Sequence, residues 1–343
     1  MTSVRIGMVG DIYFKDDDSW SVVEPVSRVT TSFEIMLGNL EIPLCNTGTA
    51  APKANGRLRQ DPKHVDTISR AGFTGVTLAN NHAMNFGAEG LSQMIRVLDS
   101  AGIAHAGGGD SIIEAHSAAL LRSNQMTVAL LSYTSVYARN IFESREDRPG
   151  LATVRVDTLY EIQSRHFEVP GMPPLIRTIP AGEDLQRVRD DISKARSLAD
   201  VVVVGWHWGY GIGNTAVIPY QVELAHFAID NGADVVMGHH PHVLQPIEFY
   251  KGKVICYSLG NFSHALEGGN FPRETAVIEI ESSMEQTIEA VRVYPLWFED
   301  EVRPLPLSVG DERVVTVLER LGNGSVVRMT PDGDLSFRVV PNT

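Results

Sequence analysis

The strongest constraint on how this chain folds is an alternation. Short apolar runs rich in β-branched residues take turns with segments of helical period. The runs are Val4–Val9, Phe33–Leu37, Phe73–Ala79, Met126–Thr134, Ala199–Gly205 and Ala233–Gly238. Between them the pattern predicts helices over Asp61–Ala71, Ala88–Ala101, Asp184–Leu198 and Tyr220–Asn231. Asp61-Pro62 and Pro219 stand where helix starts favour a cap or a first-turn proline, and Gly72, Gly102 and Gly232 stand where helices stop. This is the pattern of βαβ units and an α/β fold. Beyond Val243 the chain changes to strand-like segments: two about a Lys251-Gly252-Lys253 turn, then Thr275–Glu281 and Glu289–Leu296. A short helix near Glu312–Leu321 and a final hairpin complete the reading. With no internal repeat and no linker, residues 1–343 read as a single domain. It carries an Arg- and Pro-rich insertion near 139–183 and a β-rich C-terminal extension near 285–343.

Composition narrows the partners. A chain of 343 residues that is 43% hydrophobic can bury a large core. A formal net charge of −13 argues against nucleic acid, whose phosphates call for a basic face, but leaves room for a small anionic ligand at local arginines. Cys45 and Cys256 are far apart and form neither a disulfide framework nor a thiolate zinc site. The chain enters its first strand with no basic leader, and no run of about 18 apolar residues follows, so the expectation is no membrane anchor and a cytoplasmic location.

Polar residues crowd the ends of the apolar runs. Asp11 ends the first, Asn39 and Glu41 the second, and Asn80, Asn81, His82 and Asn85 the third. His207 ends the valine run, and His239, His240 and His242 follow the next. In an open parallel sheet the site forms beyond the carboxyl ends of the strands, and here five ends deliver carboxylate, amide or imidazole groups to one edge. Such an oxygen and nitrogen set suits Mn, Fe, Zn or Co, and a carboxylate such as Glu41 can bridge two ions.

The order Asp, acidic residue, Asn-His, His and Gly-His-x-x-His resembles the calcineurin-like metallophosphoesterase superfamily. More closely, "GD", "NLEIPL", "LANNHAMNFGAEGL", "HWG" and "GHHPHVLQPIEFYKGKVICYSLGNF", within residues 4–265, look like the CapA-type family associated with poly-γ-glutamate capsule synthesis. The resemblance implies a four-layer α/β/β/α sandwich of two mixed sheets, metallophosphoesterase-like, with one or two divalent transition-metal ions (Mn, Fe or Zn) at the strand ends. It implies Asp11 and Glu41 as metal ligands with Glu41 bridging. It also assigns Asn81, His207 and His239 to a second ion, His242 to the first, and His82 to the scissile group or the leaving oxygen. The chain departs from the superfamily in having Tyr13 where Asp-x-His places a histidine, so the first ion is expected to be short of a ligand. His240 is expected outside the ligand set.

Further residues join on weaker signals. Arg57 and Arg59 lie on a polar loop suited to an anionic substrate, and Asn80 and Tyr210 are added as substrate contacts. Asn261 is placed to orient a ligand histidine, with His264 just beyond it. Two functional classes follow. The first is a metal-dependent hydrolase, in which His82 and Asn81 serve a metal-activated hydroxide attacking a phosphoester or a γ-glutamyl-type amide of a small anionic substrate. The second is a non-catalytic metal-binding accessory protein of poly-γ-glutamate or related polymer biosynthesis. A retained proton donor beside Asn81 favours the enzyme.

Overall fold

The alternating runs form mixed sheets. The computed structural model describes residues 3–15, 17–52, 58–123, 126–211, 213–264, 272–285, 287–322 and 327–341. Strand Ser3–Ile12 lies inside a nine-stranded sheet. On one side it pairs in parallel with Ile35–Leu40, which is followed by Gly75–Thr77 and Ala104–Ala106. On the other it pairs antiparallel with Glu274–Ser283, and Ile288–Phe298 and Phe337–Pro341 extend the sheet. The C-terminal β-rich segment is thus continuous with the sheet that holds the first strand. A six-stranded sheet has Met126–Thr134, Val201–His207, Val235–His239 and Lys253–Leu259 in parallel, with Ala119–Ser123 and Leu244–Tyr250 antiparallel at its edges.

Three apolar clusters follow from the two periodicities. One joins Ile6, Met8 and Leu37 of the first sheet to Val128, Leu130, Val203 and Val235 of the second. Another places Val9, Ile12 and Met36 against Leu91, Met94 and Leu98 of helix Gly87–Ser100, spaced three and four apart along one helical face. The third sets Ala129, Leu131, Val202 and Val204 against Val188 and Ile192 of helix Gly182–Arg196 and Leu224 and Ala228 of helix Pro219–Asp230. Each buried Val, Leu or Ile contributes about 1.5–3 kcal/mol, so sheet faces and helix stripes together fix the register.

Two departures from the expected elements have local causes. The segment Asp61–Ala71 begins as a 3₁₀ turn, Pro62–His64, capped by Asp61 accepting from Lys63 N at 2.9 Å, and only then becomes helical over Val65–Arg70. Inside the 139–183 insertion the chain forms a hairpin, Val156–Glu161 with Leu175–Pro180.

One irregularity positions chemistry. The pairing of Ser3–Ile12 with Ile35–Leu40 shifts register between Met8 and Asp11. With strict alternation Asp11 would share the helix-facing side of Val9; the shift instead gives that side to Ile12 and frees Asp11 to turn to the other. The strand then bonds to the segment leaving the second sheet, through Asp11 N to Gly260 O (2.9 Å) and Phe262 N to Asp11 O (2.8 Å). Gly10 permits this contact, because a Cβ there would lie 1.9 Å from the Gly260 oxygen.

Candidate metal centre

The strand ends meet where the two sheets are joined. Asp11 sits near the end of its strand, Glu41 one residue past Ile35–Leu40, and Asn81 and His82 past Gly75–Thr77. His207 and His239 are the last residues of adjacent parallel strands and lie opposite each other in register. His242 follows on a tight turn in which His240 (φ 96°) and His242 (φ 58°) both occupy the left-handed region. A non-glycine residue there costs on the order of 1 kcal/mol or more, so the surrounding contacts hold the turn against its own preference.

Distances define a compact cluster. His242 Nδ1 lies 3.1 Å from Asp11 Oδ2 and its Nε2 lies 3.4 Å from Glu41 Oε1. His239 Nδ1 lies 3.4 Å from Asp11 Oδ1, and His207 Nε2 meets Asn81 Oδ1 at 2.7 Å. Glu41, His242 and His264 offer ligand atoms that all lie within 4.8 Å of one another. Around them an amide network sets the orientations. Asn39 donates to Asp11 Oδ1 (2.8 Å) and accepts from Thr77 Oγ1 and Asn80 Nδ2. Asn261 Oδ1 lies 2.8 Å from His242 Nδ1, in keeping with its expected orienting role.

These groups are buried, and many have no hydrogen-bond partner. Asp11 Oδ2, both Glu41 carboxyl oxygens, His207 Nδ1, both His239 ring nitrogens, His240 Nδ1 and His264 Nδ1 are all in this state. A buried polar atom without a partner costs roughly 1–3 kcal/mol, and so many converging on one place is unusual for a structural interior. A divalent cation satisfies such atoms together, and the carboxylate, amide and imidazole set fits Mn, Fe or Zn.

The charged groups of the cluster act strongly on one another. Burial works against ionised Asp11, but the imidazoles of His239 and His242 hold it well below the usual carboxylate range. Burial and the Asp11 charge push Glu41 well above that range. Burial opposes a charged His242 as well, yet Glu41 and Asp11 outweigh it and raise that imidazole to about 10. Burial, with the His242 charge added, lowers His82 to about 4 and His240 and His264 to about 3. The surroundings of His82 thus disfavour its charged form. Its Nε2 lies 4.0 Å from Glu41 Oε1 and its Nδ1 lies 3.2 Å from the Asn85 amide.

Residues 5–265 match the family described as "Bacterial capsule synthesis protein PGA_cap". The chain belongs to this family. Within it, the chain is 29% identical over 328 residues to the PGA biosynthesis protein CapA of Bacillus subtilis (strain 168), covering 94% of this chain and 76% of that one. It is 30% identical over 244 residues to the capsule biosynthesis protein CapA of Bacillus anthracis, covering 70% of this chain and 53% of that one, so it spans about half of that relative. Among solved structures, GAP50, the anchor in the inner membrane complex of Plasmodium, aligns over 93% of this chain and 94% of its own at 10% identity. Its TM-score of 0.41 is too low to carry an argument. The PGA_cap match spans Asp11, Glu41, Asn81, His82, His207, His239, His242 and His264.

The remaining expected residues fall in different places. Arg57 lies outside the described residues. Arg59 is exposed, and its guanidinium sits 4.7 Å from the Phe86 ring centroid. Asn80 has no exposed surface: its amide donates to Leu40 O (2.9 Å) and accepts from His82 N (2.9 Å) and Ala83 N (2.8 Å), so it positions His82 and has no face toward a substrate. Tyr210 is largely exposed. His240 is buried between the rings of His207 (4.8 Å between centroids) and His242 (5.9 Å). His264 lies outside the expected ligand set, yet the structure brings it beside Glu41 and His242. Its ring meets that of Tyr13 edge-on at 5.1 Å, at the place where the sequence departs from Asp-x-His. No helix among the described residues is long and apolar enough to cross a membrane.

Proposed function

We propose that this chain is a metal-dependent hydrolase on a four-layer α/β/β/α, metallophosphoesterase-like scaffold, acting on a phosphoester or a γ-glutamyl-type amide. The layering is supported by the three apolar clusters, one between the sheets and one between each sheet and its helices. The observation that carries the chemistry is the set of buried, unpartnered oxygen and nitrogen atoms at the strand ends. In this reading Asn81, His207 and His239 would hold one ion, while His242 and Asp11 would hold another. Glu41 would be shared between them, and His264 would offer an imidazole where Tyr13 stands in place of a histidine. A bound divalent cation supplies Lewis acidity and offsets negative charge developing on a phosphoryl or carbonyl oxygen.

The chain's own residues do the rest. Asn39 and Asn261 fix Asp11 and His242. Asn80 locks the turn that carries Asn81 and His82, so the His82 ring faces Glu41 from a fixed backbone. A neutral His82 donates a hydrogen bond to the reacting group. An anionic group bound beside it favours the charged imidazole and so readies a proton for the leaving atom. We read the whole chain as one functional unit in the cytoplasm, which fractionation of the native host tests. The activity itself is tested by screening the metal-loaded protein against phosphomonoesters, phosphodiesters and γ-glutamyl amides. Turnover of one class, abolished by chelator, is expected. Metal-loaded protein inert on all three classes overturns the reading and favours the accessory role.

A further inference from the structure

We propose that a neutral cleft beside His207 binds an uncharged, flat apolar group of the substrate, such as an aryl group. The inference rests on the hydrolase reading for what it says about the substrate, but the cleft's binding chemistry is independent of turnover.

The cleft encloses about 580 Å³. Its floor is Ser135–Tyr137, which follows strand Met126–Thr134, and Gly209–Tyr210, which follows Val201–His207. The start of helix Pro219–Asp230 closes one side and the hairpin of the 139–183 insertion forms the other. Ser135 N donates to the backbone carbonyl of His207 at 3.0 Å, which ties the cleft floor to the strand that ends in a residue of the metal centre.

The hairpin is built to present a neutral face. Its register sets Tyr160 opposite Ile176 and Thr158 opposite Thr178, and these line the cleft. Residues one step along point the other way in a strand. There Asp157 pairs with Arg139 (2.9 Å) and Arg177 with Glu161, beside exposed Leu159 and Ile179. The charged members of the hairpin thus lie on the face away from the cleft, and among the described residues no lining residue carries a charged side chain.

What remains to recognise a ligand is aromatic and aliphatic surface with scattered hydroxyls. The Tyr220 hydroxyl is already engaged by Gly209 N (2.6 Å) and Ser135 Oγ (3.2 Å). Tyr160, Ile176 and Tyr210 keep about two-thirds of their surface in water at 67%, 66% and 70% exposed, and covering them drives association. An anion finds no cationic side chain among the described lining residues. Division of labour follows: the metal centre takes the reacting anionic or acyl group, and the cleft takes a neutral group attached to it. That adds an apolar portion to the small anionic substrate expected from the sequence.

The probe is 2-naphthol, titrated into the full-length protein by calorimetry, with methyl α-glucoside as a neutral, non-aromatic comparison. Saturable naphthol binding is expected, weakened about tenfold in Tyr210→Ala and in Ile176→Asp, since one lost aromatic contact or one charge in the cleft is worth about that factor. Both positions are exposed, and matching thermal unfolding of the variants confirms that they fold. Chelator-treated protein should bind naphthol as before. Absent binding, binding indifferent to both substitutions, or preference for the glucoside would overturn the assignment. Naphthol binding with this pattern in a protein that hydrolyses nothing would defeat the hydrolase reading and leave the cleft standing.

Discussion

Gly10→Ala tests how the two sheets are held together at the site. The new Cβ would lie 1.9 Å from the Gly260 oxygen and 2.6 Å from the Gly260 carbonyl carbon. Favourable contact between heavy atoms is near 3.5 Å, so the two backbones must part by roughly 1.5 Å. Such a shift breaks the 2.9 Å bond from Asp11 N to Gly260 O and loosens the 2.8 Å bond from Phe262 N to Asp11 O. Each is worth about 1 kcal/mol, and forced overpacking adds about 1–3 kcal/mol. A loss of about 3–5 kcal/mol is therefore expected, a large share of a typical total of about 5–15 kcal/mol. Urea unfolding of metal-free protein reads it directly. Gly182→Ala is the control: it opens a helix with nothing within 4 Å of an added Cβ, and should change stability by less than about 1 kcal/mol. A Gly10→Ala loss below about 1 kcal/mol would refute the close-approach argument. The same displacement separates Asp11 from His242, so metal affinity should fall in step.

Further outcomes follow from the same geometry. His239→Ala should lower metal affinity by about 100-fold or more, and His240→Ala by less than about tenfold, as measured by competition with a chromophoric chelator. Equal losses would show that the ligand assignment is misplaced. His82→Ala should keep its metal while turnover drops by about 10²–10⁴-fold, with a smaller drop for a substrate with a good leaving group. Metal loss parallel to the activity loss would make His82 a ligand. Away from the site, Glu279 is buried and accepts from Arg5 (2.8 Å), Arg292 (2.9 Å) and Tyr294 (2.7 Å). Burial opposes its charge, but these partners hold its carboxyl below the ordinary 4.5. A depressed carboxylate stabilises the fold above its unfolded value, and that contribution is lost as pH falls through the lower, folded value. Glu279→Gln should lower stability at pH 7, by up to the roughly 3–5 kcal/mol of a broken buried pair, with the gap to wild type closing in acid below pH 4.5. A gap that widens in acid would reverse the sign of the argument.

Much of this architecture was legible in the residues because it depends on local period. Met126–Thr134 was read to the residue, and the helices over Ala88–Ala101, Asp184–Leu198 and Tyr220–Asn231 lie within two residues of their observed starts and ends. Strand ends pointed to the site, although the five runs do not share one sheet edge as expected: three lie in the nine-stranded sheet and two in the six-stranded sheet, and their ends meet where the sheets join. Long-range pairing hid the rest. The contact that brings His264 to Glu41 depends on a bridge between Asp11 and Asn261, far apart in sequence and joined by no spacing rule. No spacing rule shows that the Asn80 amide is spent on Leu40 O, His82 N and Ala83 N, contacts that position His82. The hairpin in the 139–183 insertion shows no clean alternation, because one face sets Asp157, Glu161 and Arg177 beside Leu159 and Ile179 while the other sets threonines beside Tyr160 and Ile176.

The central claim is that the buried strand-end cluster exists to hold a divalent cation. Its most direct test is elemental analysis of protein reconstituted with Mn, Fe or Zn and then freed of loose ions by gel filtration, with His239→Ala treated alongside. The account predicts at least one retained ion per wild-type chain and a clear deficit in the variant. Wild-type protein that retains no ion above background with any of the three metals would contradict it.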